Sequence, residues 1–120
     1  INNKFNFIMK KIEAIIRKSK YRVVKEALQK VGVSFFSYWD VTGLGNEKEG
    51  HVYRGVSYST SDIQRRYLSI VVNDDFEQVT IKAILEAGST GEVGDGKIFI
   101  SDIKEVYRIR TGAKGGETLN

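Results

Sequence analysis

The chain has 120 residues, 41% of them apolar and 28% charged, and its 19 Lys and Arg against 15 Asp and Glu leave a net charge of +4 at pH 7. That is a one-domain length with the balance of an ordinary folded globule, which excludes collagen-like, coiled-coil and disordered classes and a long multidomain enzyme. Cysteine is absent and His51 is the single histidine, so disulfides, thiolate zinc sites, cysteine nucleophiles and histidine clusters are all excluded.

No run approaches the roughly 18 consecutive apolar residues of a membrane span. Neither a long apolar leader core nor a small-residue cleavage site is present, so export is not expected, and the lack of cysteine fits a reducing cytoplasm. Proline is missing, and eleven of the twelve glycines gather at 43–55, 88–96 and 112–116, which marks those stretches as the loops.

In chain order, residues 1–8 read as vector-derived or upstream sequence ahead of a natural start at Met9. Lys11 to Ile16 alternates and then turns apolar, predicting a strand closed by the basic run Arg17 to Lys20. Val24, Ala27, Leu28 and Val31 follow a helical period that stops at Gly32. Val33 to Thr42 predicts a second strand, with Phe35 and Trp39 on one face and Phe36 and Tyr38 on the other. Two helices cannot easily cover both faces of a sheet, so the second face is expected to pack against another subunit, a single larger core being the alternative.

Gly43 to Gln64 has no sustained apolar face and reads as a long loop, of a length usually reserved for meeting a partner. Arg66 to Val72 predicts a strand. Asp74 and Glu77 resemble a helix cap and its reciprocal acid, ahead of an inward stripe of Phe76, Val79, Thr80, Ala83, Ile84 and Ala87 that ends at Gly88. The glycine loop Gly91 to Gly96, a strand Lys97 to Ile100 and a further strand Val106 to Arg110 follow, then a flexible polar tail, 113–120. The order βαββαβ with an extra C-terminal strand is an α+β, ferredoxin-like arrangement over residues 9–112.

Gly91 to Lys97 formally matches G-x-x-x-x-G-K, but Ile98 follows where Ser or Thr is required and a strand follows where a helix is required, so it is not a P-loop. Closely spaced glycines can still turn consecutive N–H groups toward an anion, with Lys97 adding charge; the alternative is a simple turn with a solvated lysine. Arg108 and Arg110, two apart on a predicted strand, share a face and can present two guanidinium forks to one polyanion, which tips the balance toward nucleotide phosphate. Nothing fixes His51 beside a base, and Asp74-Asp75 and Glu47/Glu49 demand no acid–base role, so no enzyme is expected.

Four segments, Met9 to Arg17, Tyr53 to Tyr58, Thr90 to Phe99 and Tyr107 to Gly112, together resemble the PII signalling proteins of nitrogen control, in order and with matching spacing. The resemblance implies a homotrimer that binds ATP or ADP in clefts between subunits and docks on targets through a protruding T-loop, about 44–65 here. It implies phosphate contacts from Gly94, Asp95, Gly96 and Lys97 of one subunit and Arg108 and Arg110 of the next, with Ile15, Gly43, Gly45 and Val71 on the adenine and ribose side. Implied targets include ammonium transporters, through which alone the membrane would be met, and nitrogen-assimilation enzymes.

Family members typically carry Arg-Gln at the base of the T-loop, the glutamine holding Mg²⁺ and 2-oxoglutarate beside ATP. This chain has Asn46-Glu47 and a loop one residue shorter. Glu47 can ligate Mg²⁺ yet repels a dianionic acid, while Arg65 keeps the charge of the family's lysine, so altered or weakened oxoglutarate binding is expected. Tyr58 falls where some members are uridylylated and, with Arg54, is a candidate partner contact; Val56 occupies the family's phosphorylated serine position. An adenylate-only regulator of a non-nitrogen transporter or enzyme is the nearest alternative. A slow ATPase rests on the phosphate site alone. An RNA-binding module lacks the aromatic RNP1 pattern, so no nucleic-acid partner is expected.

Overall fold

The computed structural model describes residues 8–119 apart from 46, 54, 55, 60 and 61, and gives the course of the backbone alone at 47–53 and 56–59. Strand β1 (Met9–Ile16) alternates as its sequence demands: Ile12, Ala14 and Ile16 are buried, while Lys11, Glu13 and Ile15 face the other way. After a 3-10 turn (Lys18–Lys20), helix α1 (Tyr21–Lys30) buries Val24 and Leu28. It ends in a Schellman arrangement, with the Gly32 N–H donating to the Gln29 carbonyl (3.1 Å), that of Val33 to the Leu28 carbonyl (3.0 Å), and Gly32 at φ +92°.

That cap delays the next strand. β2 runs Ser37–Leu44, starting later than predicted, because Val33 stays tied to the helix end and enters the core. Phe36 and Tyr38 pack on Tyr21 (centroids 6.5 and 4.7 Å) and Trp39 stacks on Tyr67 (4.8 Å, 15°), so the two-faced aromatic reading holds for these three. Phe35 departs from it, lying before the strand and exposed.

The long connection is not structureless. β3 (Glu47–Tyr53) pairs antiparallel with β4 (Val56–Ser59), and β5 (Asp62–Asn73) begins four residues earlier than expected, its Asp62 opposite Leu44 of β2. A ribbon held by backbone bonds needs no apolar face, which is why hydrophobic periodicity misses it.

Helix α2 (Glu77–Gly88) is entered through a 3-10 turn (Asp74–Phe76) with no side-chain cap bond, so the predicted Asp74/Glu77 box does not form. The Asp74 N–H donates instead to the Ile8 carbonyl (2.7 Å), and the acids Asp74, Asp75 and Glu77 act on the positive helix end through space. The inward stripe is Thr80, Ala83, Ile84 and Gly88, with Phe76 and Ala87 partly buried against the core as predicted; Val79 is exposed. Buried Thr80 satisfies its hydroxyl on the Phe76 carbonyl (2.7 Å).

β6 (Lys97–Ile103) completes an antiparallel sheet of order β2-β5-β1-β6, with β1 central between β5 and β6. Both helices cover one face, over Ile12, Ala14, Ile16, Leu68, Ile70 and Val72. The result is the α+β, ferredoxin-like βαββαβ arrangement predicted. The opposite face carries Trp39, Tyr67, Ile15 and Phe99, uncovered in the single chain.

The extra C-terminal strand does not form. Tyr107 makes one bridge with Lys114, and the Arg108 N–H donates to the Ala113 carbonyl (2.7 Å), closing the segment on itself. A strand exists only by pairing, and this segment reaches neither sheet edge of its own chain. In the C-terminal segment a 3-10 turn (Gly116–Leu119) lies against β5, with Asn73 Nδ2 donating to the Gly116 carbonyl (3.1 Å). No helix among the described residues is long and apolar enough to cross a membrane.

Candidate functional site

A cleft of about 720 Å³ opens where the end of β1, the start of β5 and the end of β2 meet the glycine loop, lined by Ile15, Gly43, Gly45, Arg65, Tyr67 and residues 92–97. The loop lies directly on β1: a Cβ on Gly96 would stand 1.8 Å from the Ile15 carbonyl oxygen, and Gly96 has φ +94°, so both space and backbone call for glycine. Lys97, opposite Ile15 in the β1/β6 register, is exposed and has no ion-pair partner among the described residues.

The Asp95 carboxylate turns into the loop rather than toward the cleft mouth. It accepts the N–H groups of Thr90 (2.8 Å) and Gly91 (2.9 Å), the Thr90 hydroxyl (2.5 Å) and Arg17 Nε (2.8 Å). Desolvation alone would raise this carboxyl; the Thr90 hydroxyl, Arg17 and the two N–H groups outweigh it and hold it well below the usual carboxylate range. The sign follows: a depressed folded-state pKa adds stability that is complete above an unfolded value of about 3.9 and is lost as pH falls below it. Asp95→Asn is therefore expected to lower stability at pH 6–7 and to flatten the loss on acidification below pH 4, read by denaturant melts across pH.

The expected ligand residues divide into three groups. Ile15, Gly43, Gly45, Gly94, Asp95, Gly96, Lys97 and Arg65 converge on this cleft. Val71 does not: it stands opposite Lys11, four residues along β1 from Ile15, and lines a small depression with Phe76 and Leu119. Arg108 and Arg110 line none of these clefts and lie on the 107–114 turn, where Arg110 is exposed, so the predicted strand face joining them is replaced by a turn. Arg54 lies outside the described residues, as do the side chains of Glu47, His51 and Tyr58. Among the described residues no group of three acids or histidines can hold a metal.

Two groups at the site escaped the sequence reading, one lining the cleft and one behind the loop. Tyr67, its hydroxyl donating to Glu13 Oε2 (2.5 Å), forms part of the cleft floor, and Arg17 anchors the loop from the end of β1. Register alone reveals the first. The second joins residues 78 apart in sequence, for which a single chain carries no local signal.

The family model for the nitrogen regulatory protein P-II matches residues 9–113. This chain belongs to the P-II family. The P-II protein of Bradyrhizobium diazoefficiens is 47% identical over 113 residues, covering 92% of this chain and all of that protein. Arabidopsis thaliana PII bound to citrate superposes with a TM-score of 0.77 at 32% identity, covering 95% of this chain and 94% of that one. A Bacillus subtilis GlnK–ATP complex gives 0.75 at 29% identity, covering 91% and 95%. P-II proteins are signalling regulators rather than enzymes.

Proposed function

We propose that this P-II protein is a cytoplasmic homotrimer that binds ATP and ADP in clefts between subunits and regulates a nitrogen-assimilation target, such as an ammonium transporter or an assimilation enzyme, through the β2–β5 arm. One observation carries the reading: the loop presents Gly94, Gly96 and Lys97, which has no ion-pair partner among the described residues, at a cleft of about 720 Å³, while Arg108 and Arg110 lie apart from that cleft on the 107–114 turn, free in this reading to serve a neighbouring subunit. An uncovered sheet face bearing Trp39 and Phe99 supports the trimer. The donor set of backbone amides, lysine and arginines fits a polyphosphate, whose charge it neutralises and orients. The nucleotide acts by favouring one arrangement of the arm over another, and the arm's target reads that difference.

A specific observation favours the adenylate-only variant of this reading. Arg65, the residue in place to pair an oxoglutarate carboxylate, donates Nε and Nη2 to the Gly94 carbonyl (3.1 and 2.9 Å) and Nη1 to that of Gln64 (2.8 Å). A dicarboxylate that pairs with Arg65 must break that grip. Calorimetric titration of ATP and ADP with Mg²⁺, with and without 2-oxoglutarate, tests both statements. Nucleotide binding that oxoglutarate tightens less than tenfold is expected; no nucleotide binding at all refutes the proposal, and strong tightening refutes its adenylate-only form.

A further inference from the structure

The glycine loop is gripped from behind by two arginines, one just past β1 and one on β5. Arg17, just past β1, donates Nε to Asp95 Oδ1 (2.8 Å) and Nη2 to the Val93 carbonyl (3.0 Å), while Arg65 on β5 forks onto the Gly94 carbonyl. Two consecutive carbonyls and the adjacent carboxylate thus all face guanidinium groups. Every peptide bond here is trans, and in a planar trans peptide the N–H points opposite to the preceding C=O. Turning the carbonyls of Val93 and Gly94 toward the arginines therefore turns the N–H groups of Gly94 and Asp95 away from them. Among the described residues neither N–H meets a protein acceptor.

The far side of the loop is fixed through Asp95. Its carboxylate ties the amides of Thr90 and Gly91 and the Thr90 hydroxyl to the same guanidinium that holds Val93. Asp95 itself is a poor phosphate ligand, since its charge would repel one, yet it sits in the middle of the phosphate loop. We infer that Arg17 and Asp95 are positioning residues: their ion pair pre-sets the Gly94 and Asp95 amides toward a polyphosphate before the ligand arrives, so that binding carries no cost of ordering the loop. This rests on the adenylate reading above.

The test is titration of ATP and of adenosine into the full-length wild type and into Asp95→Asn, Arg17→Ala, Arg17→Lys and the Asp95→Asn/Arg17→Ala pair, with thermal midpoints and oligomer size recorded for each. Asp95→Asn and Arg17→Ala are each expected to weaken ATP roughly tenfold, as loss of a charge-assisted contact does, and to leave adenosine within about twofold. The double variant is expected to be no worse than the weaker single, because both act through one loop. Arg17→Lys, which keeps the pairing charge without the fork, is expected to recover part of the loss. ATP binding by Asp95→Asn within twofold of wild type overturns the inference, as does equal loss of ATP and adenosine, which marks general damage. If Arg17→Ala does not fold, Asp95→Asn and Arg17→Lys still decide. A wild type that binds no ATP, with the loop intact by its melting behaviour, fails the adenylate reading and this inference with it. ATP bound by wild type and undiminished in every Asp95 and Arg17 variant fails this inference alone.

Discussion

Gly96→Ala is expected to be the most damaging single methyl in the chain. The new Cβ would lie 1.8 Å from the Ile15 carbonyl oxygen and 2.9 Å from its carbon, both backbone atoms of the central strand, at a residue whose φ is +94°. The left-handed backbone costs about 1–2 kcal/mol for any residue with a Cβ. The clash cannot be relieved by a side-chain rotation, so the loop must lift from β1, which brings the expected total to about 3 kcal/mol. Lifting the loop also displaces the amides it presents, and ATP affinity is expected to fall about a hundredfold. Gly91→Ala is the control: Gly91 has φ +82° with nothing within 4 Å of the added carbon, so it carries the backbone cost of about 1–2 kcal/mol alone and keeps most of the binding. Denaturant melts and ATP titration of the two variants separate strain from clash.

The second large effect concerns charge. Lys97 and Arg108 lack ion-pair partners among the described residues, so replacing both with alanine breaks no ion pair among them and is expected to leave the melting midpoint nearly unchanged. If they hold a polyphosphate, each supplies a charge-assisted bond worth about 1.5–3 kcal/mol. Their joint loss is then expected to weaken ATP by roughly two to three orders of magnitude. The pairing of an intact fold with a lost ligand is the signature; a double variant that binds ATP as wild type does removes the phosphate site.

Much of this molecule is legible from the chain alone, and the reasons it stops being legible are physical. Ile12, Ala14 and Ile16 alternate, and Val24 with Leu28 keep helical period, because each element buries one face against the same core. The glycine loop stands out because close spacing of glycines has few other uses. The ribbon β3–β4 is invisible to periodicity because pairing through the backbone requires no apolar face. The false strand at Val106 to Arg110 arose because alternation says what a strand would bury and not whether an edge is there to receive it. Gly88 ends helix α2 as its sequence predicts, and the sequence does not show its packing: a Cβ there would touch Val24 Cγ2 at 3.4 Å. At the site, Gly94, Gly96 and Lys97 were found as a motif. Arg17 was not, since its role exists only once Asp95 is folded beside it. Asp95 was placed among the ligand groups by its neighbours in sequence, while its carboxylate faces the arginine.

The central claim is that each adenylate site is completed by two subunits, and subunit mixing tests it most directly. Lys97→Ala and Arg108→Ala proteins are prepared separately, each expected to bind ATP poorly, then unfolded, mixed in equal amounts and refolded. In a mixed ring some clefts join an intact Lys97 from one subunit to an intact Arg108 from its neighbour. If the site lies between chains, about one cleft in four regains wild-type ATP affinity in a closed head-to-tail trimer. Verified mixed trimers that recover no binding would contradict the account, because Lys97 and Arg108 would then have to serve from the same chain.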